Sequence, residues 1–181
     1  MRAGFSFGPG SRRIGGMKTG PALKELLLRT PQLTLAVAES VTCGRVQARI
    51  GEIPGASDFF PGGITAYSLD QKVRHLGVDR ASATSVNCVS AAVAAQMARG
   101  VAALFGADLG VATTGYAEPD PNLDVVEPLA FWALAWRGTE NVWMTRTGKI
   151  ICPGAARVAA QTMMADAALA ELLAHLRATR G

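Results

Sequence analysis

Apolar residues recur along this chain in two patterns, which predict a succession of short strands and amphipathic helices. Apolar runs bounded by Gly, Pro or hydroxylated residues predict strands over residues 33–39, 62–67 and 109–114. Two further runs, 129–136 and 141–149, are separated by four residues that include a glycine, and they predict a β-hairpin. Helical spacing predicts helices over residues 22–28, 41–51, 68–77 and 90–105, and a closing helix that carries Leu169, Leu172, Leu173 and Leu176.

Capping residues support these helix boundaries. Ser68 and Ser90 stand where an N-cap is expected, and Gly51 and Gly77 stand where a helix should stop. Strands that alternate with helices and then give way to an antiparallel pair predict an α/β fold, layered as α/β/α around a mixed sheet.

The first residues of the chain differ from the rest. Residues 1–19 are rich in Gly, Ser and Arg and show no periodicity, so we expect a flexible N-terminal arm there. We expect residues 20–181 to form a single domain, because 181 residues with 49% apolar side chains suit one compact core.

Charge and cysteine usage exclude several function classes. The net charge of +4 is scattered, with Arg12 and Arg13 the only adjacent basic pair, so we expect no nucleic-acid partner. We find neither a signal-peptide core nor an apolar run long enough to cross a bilayer, so we expect no membrane partner. Three cysteines at wide spacing give neither a disulfide framework nor a metal motif, which favours a reducing, cytoplasmic location.

A first candidate for chemistry is Ser40, at the junction between a predicted buried strand and a predicted helix. Backbone N–H groups at a helix start carry partial positive charge and can stabilise an oxyanion or a phosphate. A serine there can act as a nucleophile. The commoner role of a serine at this position is simply to cap the helix, and the local sequence leaves both roles open.

A second candidate is the pair Tyr67 and Lys72. Five residues within one helix would place them on different faces, so Tyr67 must end the strand while Lys72 lies in the following helix, where both could reach one cleft. A half-buried tyrosine beside a solvated lysine is the plainer interpretation. His75 and His175 are predicted near a helix end and facing mainly solvent, with no ligand-spaced partners, so we expect no metal. A serine hydrolase would therefore need a lysine or tyrosine base.

Several motifs occur in order along the chain: AESVTCG from residue 38, PGASDFFPGGITAYSLDQKVRHLGV from residue 54, CVS from residue 88 and TTGYAEP from residue 113. Together they resemble the CinA C-terminal domain family over about residues 22–177. Members of that family are amidohydrolases that convert nicotinamide mononucleotide to nicotinic acid mononucleotide and ammonia. The resemblance therefore implies a CinA-like α/β fold, a small-molecule substrate, and an amide hydrolase that needs no cofactor.

The resemblance also implies roles for individual residues. Ser40 matches the family's nucleophile, and Tyr67 and Lys72 match the residues that activate it. N–H groups near residues 42–44 would hold the oxyanion. The implied substrate-binding positions are Glu39, Thr42, Cys43, Gly44, Thr114 and Gly115.

Two departures from the family pattern bear on the substrate. Cys43 stands where the family has glycine, so its side chain is expected to crowd the site. Glu118 and Asp120 replace part of a glycine-rich loop, and in the pocket they would repel a phosphate by roughly 1–4 kcal/mol. Alternatively, these carboxylates face solvent or pair with a basic residue. An amidase for a non-nucleotide amide, or a ligand-binding member without turnover, therefore stays open.

A homo-oligomer is also expected. The predicted hairpin is rich in aromatic residues, and a second copy of the chain would cover the face that one chain leaves open. These residues are Phe131, Trp132, Trp136 and Trp143.

Overall fold

The computed structural model describes residues 16–138 and 140–181 and confirms the predicted α/β fold around a mixed sheet. The strands are β1 (Leu35–Glu39), β2 (Gly62–Thr65), β3 (Leu109–Tyr116), β4 (Leu129–Arg137) and β5 (Trp143–Ile151). The helices are α1 (Gly16–Leu28), α2 (Arg45–Gly51), α3 (Leu69–Leu76), α4 (Arg80–Thr84), α5 (Ala91–Phe105) and α6 (Arg157–Arg180). Two short 3-10 turns cover Ala56–Asp58 and Pro121–Leu123.

The strand order β2-β1-β3-β4-β5 brings the ends of three strands to one edge of the sheet. Strands β2, β1 and β3 are parallel, and Glu39, the last residue of β1, is in register with Thr65 of β2 and Thr113 of β3. Strands β4 and β5 complete the sheet as an antiparallel hairpin. The segments that follow β1 and β2 therefore leave the sheet at the same edge, which is where ligands bind in open parallel sheets.

Helices cover the sheet on two sides, and the side chains of β1 alternate between them. Leu35 and Val37 belong to the core under α1, α2 and α6, whereas Ala36 and Ala38 belong to the core under α3 and α5. Small residues on the second face let α5 approach closely: a Cβ on Gly110 would stand only 1.9 Å from the Ala98 carbonyl oxygen. The two faces thus differ in the size of the side chains that fill them.

Most predicted elements are confirmed, including the caps of α3 and α5. The Oγ of Ser68 accepts from the Gln71 N–H, and the Oγ of Ser90 accepts from the Val93 N–H. Gly77 ends α3 at φ 63°, a left-handed conformation that glycine adopts readily.

Some boundaries differ. Helix α2 begins at Arg45, not at residue 41, because Cys43 and Gly44 have left-handed φ values of 50° and 90° that a helix does not allow. Helix α1 begins at Gly16, so residues 16–19 of the predicted arm are helical, while residues 1–15 lie outside the described part of the chain. Helix α4 was not predicted.

The closing helix corrects two further expectations. His175 is buried and not solvent-facing, because it lies three residues from Leu172 on the same helix face, and its ring packs 4.4 Å from that of Trp136. Burial, together with the charge of Arg146, lowers the pKa of His175. The hairpin aromatics pack within the chain as well: Trp132 is buried, and Phe131, Trp136 and Trp143 contact the two cores. Phe131, Trp136 and Trp143 are only partly buried, and the homo-oligomer stays a prediction.

Within the described ranges, no helix is both long enough and apolar enough to span a bilayer.

Candidate active site

A cleft of about 370 Å³ opens at the edge of the sheet where β1, β2 and β3 end. Its wall includes Ser40 after β1, Tyr67 after β2, Lys72 of α3, and Thr114 and Gly115 of β3. The remaining wall comes from the last residue of α4, from the segment between α4 and α5, from the start of α3, and from Val41 and Tyr116. The three predicted catalytic residues thus surround one cavity.

Ser40 and Lys72 are in direct contact at the floor of the cleft. The Nζ of Lys72 lies 2.9 Å from the Oγ of Ser40 and 2.8 Å from the carbonyl oxygen of Tyr67. Ser40 is 7% exposed and Lys72 is 1% exposed. The solvated lysine that the sequence left open is therefore excluded.

Burial also changes the acidity of Lys72. Removal of the ammonium group from water disfavours its charged form, and this desolvation lowers the pKa of Lys72 below its usual 10.5, while a smaller effect from Cys88 raises it. A lysine with a lowered pKa is neutral in a larger share of molecules and can accept a proton. The Ser40–Lys72 contact thus joins a hydroxyl to an amine whose charged form is disfavoured by burial.

Glu39 lies behind this pair, fully buried, and is committed to the protein itself. Its Oε2 accepts from the Thr42 hydroxyl at 2.5 Å, the Gly44 N–H at 2.9 Å and the Val46 N–H at 3.1 Å. Its Oε1 accepts from the backbone and the side-chain amide of Gln47 at 2.8 and 3.1 Å. The carboxylate therefore caps helix α2 from the preceding strand, and the assignment of Glu39 to substrate binding stays a prediction.

The β1–α2 turn, residues 40–44, is also tied to its neighbours. The Ser40 N–H donates to the Thr113 carbonyl at 3.0 Å. Thr42 spends its single proton on Glu39, so its 2.7 Å contact with Thr113 must use the Thr113 proton. From the far side, the buried Gln161 of α6 donates to the Val41 carbonyl at 2.9 Å. Strand β3 and helix α6 thus both fix the position of Ser40.

Cys43 and Gly44 lie outside the cleft wall, so the expected crowding by Cys43 does not occur. The Cys43 side chain is exposed. The departure from glycine acts through the backbone instead, because φ 50° is strained for a residue with a Cβ. The Gly44 N–H is already bound to Glu39 and cannot serve an oxyanion.

We call Tyr67, Arg157 and Glu118 the rim. Tyr67 lines the cleft, Arg157 contacts the Tyr67 hydroxyl from outside the cleft wall, and Glu118 contacts Arg157. Tyr67 is 56% exposed, and its hydroxyl accepts from the Nη2 of Arg157 at 3.1 Å. The Nη1 of Arg157 donates to the Oε1 of Glu118 at 2.7 Å. Asp120 instead accepts from the Asn122 N–H and caps the turn that follows. Of the two alternatives for this loop, pairing with a basic residue holds for Glu118.

The model of the CinA C-terminal domain matches residues 21–176. The chain belongs to this family. The match covers nearly all of the described residues, so the floor and the rim both lie inside the CinA C-terminal domain.

Curated relatives agree. A CinA-like protein of Picosynechococcus sp. is 44% identical over 115 residues, covering 64% of this chain and 27% of that protein. A putative competence-damage inducible protein of Halothermothrix orenii is 44% identical over 98 residues, covering 54% of this chain and 24% of that protein. The chain thus spans about a quarter of the length of these CinA relatives.

Solved structures share the fold. The competence damage-inducible protein A of Klebsiella pneumoniae has a TM-score of 0.80 at 24% identity and covers 90% of this chain and 98% of its own. A CinA superfamily protein of Escherichia coli has a TM-score of 0.74 at 26% identity and covers 86% of each chain.

Within this CinA domain, the structure brings together Ser40, Tyr67, Lys72, Thr114 and Gly115, and leaves Glu39, Thr42, Cys43 and Gly44 outside the cleft wall. Gly115 has no room for a side chain, since a Cβ there would stand 2.1 Å from the Leu129 carbonyl oxygen. In the described residues, no three metal-binding side chains cluster.

Sequence reasoning missed the contacts that hold the cleft open. The Thr114 hydroxyl donates to the Cys88 carbonyl at 2.7 Å, and Asn87 and Cys88 both have left-handed backbones. Arg157 was missed because an alanine-rich stretch masks the start of α6, and Gln161 was missed for the same reason. The sequence signal that could have found them is that Arg157 and Gln161 are polar residues within an otherwise alanine-rich stretch.

Proposed function

We propose that this domain hydrolyses a carboxamide to a carboxylate and ammonia, with Ser40 as nucleophile, Lys72 as general base and nicotinamide mononucleotide as substrate. The observation that carries the proposal is the 2.9 Å contact between the Ser40 Oγ and the Lys72 Nζ, buried at the floor of the cleft. A hydroxyl within hydrogen-bond reach of a buried amine is the arrangement that serine activation needs when no histidine is at hand.

The first half-reaction follows from this contact. Neutral Lys72 accepts the Ser40 proton while Oγ attacks the carboxamide carbon and the carbonyl π electrons move onto oxygen. The tetrahedral intermediate collapses, Lys72 returns the proton to the nitrogen, and ammonia leaves. One N–H of Lys72 donates to the Tyr67 carbonyl throughout, which keeps the amine oriented toward Ser40.

The second half-reaction uses the same base. Water enters the vacated position, Lys72 takes one of its protons, and the hydroxide attacks the acyl-Ser40 ester. Collapse expels the Ser40 alkoxide, which recovers its proton from Lys72. The acid product and the starting enzyme result, and no redox change occurs.

The oxyanion donors belong to the β1–α2 turn in this proposal. The Ser40 N–H serves Thr113 and the Gly44 N–H serves Glu39, whereas no hydrogen bond among the described residues engages the N–H groups of Val41, Thr42 and Cys43. Val41 lines the cleft, and we propose that the oxyanion binds to this run of N–H groups. Consecutive N–H groups beside left-handed residues form a concave anion-binding surface. Thr114 and Gly115 line the opposite wall, where we propose that they contact the substrate.

Tyr67 takes a binding role in the proposal. Its carbonyl, and not its phenol, meets Lys72, and the phenol turns outward to Arg157. The hydroxyl therefore lies outside the path of the proton between Ser40 and Lys72.

The test is ammonia release from nicotinamide mononucleotide by the purified chain. Ser40→Ala should reduce kcat by about 10³-fold or more, because it removes the attacking atom. Ser85→Ala is the matched control, since Ser85 is exposed and outside the cleft wall. Ammonia release that persists in Ser40→Ala would rule out the nucleophile. Thermal stabilisation by the nucleotide without ammonia would favour a binding member that lacks turnover.

A further inference from the structure

We propose that Glu118 is a specificity-determining residue that weakens the preference of the cleft for phosphorylated amides over uncharged ones by occupying Arg157. The proposal uses the proposed amide hydrolysis for its kinetic readout, but it also has a binding readout that does not depend on turnover. Glu118 would thereby determine how well a charged amide binds relative to an uncharged one.

Arg157 is linked to the cleft that contains Ser40 and Lys72 through a single residue, Tyr67. Its Nη2 donates to the hydroxyl of Tyr67, and Tyr67 lines the same cleft as Ser40 and Lys72. We place the far end of a substrate whose amide reaches Ser40 on the Tyr67 side of the cleft, where a charged group would meet Arg157. Arg157 is the cation that such a group would use.

In the structure that cation is already neutralised. The Nη1 of Arg157 lies 2.7 Å from the Oε1 of Glu118, and both side chains are about half exposed. An anionic substrate must displace the Glu118 carboxylate and then remain beside it, whereas an uncharged substrate leaves the pair intact. Because the pair is exposed, water and ions can replace the lost contact, so displacement is feasible but unfavourable.

The other carboxylates near the loop do not share this role. Asp120 accepts the Asn122 N–H, and Glu127 accepts the Gly154 N–H. Asp120 therefore offers a matched control: the same loop and the same change of charge, without contact to Arg157.

The experiment compares two amides that differ only in a phosphate monoester, nicotinamide mononucleotide and nicotinamide riboside. The ratio of their kcat/KM values is measured for the wild-type chain, Glu118→Gln and Asp120→Asn. We expect Glu118→Gln to raise the ratio in favour of the phosphorylated amide by about five- to tenfold, since it frees Arg157 and removes the repulsion. Asp120→Asn should change it by less than about twofold. An equal rise in both variants would show a general field effect and overturn the proposal.

A binding measurement separates this proposal from the proposed function. In a Ser40→Ala background, calorimetry should show that Glu118→Gln binds nicotinamide mononucleotide about five- to tenfold more tightly, with riboside binding unchanged. Tighter binding without turnover in the wild-type chain supports the role of Glu118 and removes the hydrolase. Conversely, turnover by the wild-type chain with a kcat/KM ratio that Glu118→Gln leaves unchanged supports the hydrolase and overturns the role of Glu118. No binding of the phosphorylated ligand to either variant also overturns the proposal.

Discussion

The floor and the rim of the cleft use charged groups in opposite environments. At the floor, Glu39 and Lys72 are buried and are held by hydrogen bonds to neighbouring groups of the protein. At the rim, Glu118 and Arg157 form an ion pair that is about half exposed. Exposed pairs contribute roughly 0–1 kcal/mol, whereas breaking a buried charged network costs several kcal/mol. Changes at the floor should therefore affect folding and chemistry, and changes at the rim should affect selectivity.

The largest effect is expected from Lys72→Met at the floor. Loss of the base should reduce kcat by roughly 10²- to 10⁴-fold. The free energy of unfolding, in contrast, should not fall in this variant. Burial lowers the pKa of Lys72, so between that value and 10.5 the unfolded chain binds a proton that the folded chain does not, and the free energy of unfolding falls as pH falls. Methionine removes this penalty.

Urea unfolding across pH checks the sign. Lys72→Met should be at least as stable as the wild-type chain at neutral pH, and any advantage should shrink as pH rises towards 10.5. Lys149→Met, on exposed β5, is the control and should keep both activity and stability. If Lys72→Met keeps the full kcat of the wild-type chain, Lys72 is not the general base.

A smaller but still large effect is expected from Glu39→Gln. The carboxylate accepts from Thr42, Gly44, Val46 and Gln47, and an amide must turn an NH₂ group toward some of these donors. Loss of buried, charge-assisted bonds should lower the free energy of unfolding by about 2–4 kcal/mol. Activity should fall as well, because the turn that carries Ser40 loses its anchor.

Glu52→Gln provides the control for this variant. Glu52 follows the same helix α2 but is exposed, and it pairs with Arg49 only at 3.6 Å. Its unfolding free energy should stay within about 0.5 kcal/mol of the wild-type value. If Glu39→Gln matches that control, the capping role assigned to Glu39 is wrong.

The sequence predicted the floor better than the rim. Ser40 follows a buried strand, and Ser68 and Gly77 bound the helix that carries Lys72, so local pattern placed each residue at the end or start of an element. The pairing of the two came from the family resemblance. The role of Glu39 could not be predicted, because a carboxylate at a strand end gives no local sign that it will cap the next helix. Local cues thus predicted where residues lie better than what they contact.

The rim depends on long-range contacts. Arg157 meets Glu118 across 39 residues and Tyr67 across 90. Neither separation leaves a periodic signal, and the alanine-rich start of α6 hid the helix that positions Arg157. The closing leucines predicted only the second half of that helix, since Leu169 to Leu176 alone show clear helical spacing.

The smallest effect is expected from Tyr67→Phe, which distinguishes rim from floor most sharply. The change removes the hydroxyl that accepts from Arg157 but keeps the carbonyl that accepts from Lys72. If Tyr67 only binds, kcat should fall by less than about threefold and KM should rise modestly, since one exposed hydrogen bond contributes about 1 kcal/mol. If the phenol relays the Ser40 proton, kcat should instead fall by roughly 10²-fold or more, with its pH dependence altered. Steady-state ammonia release across pH separates the two, and a large kcat loss would move Tyr67 from the rim into the proton path.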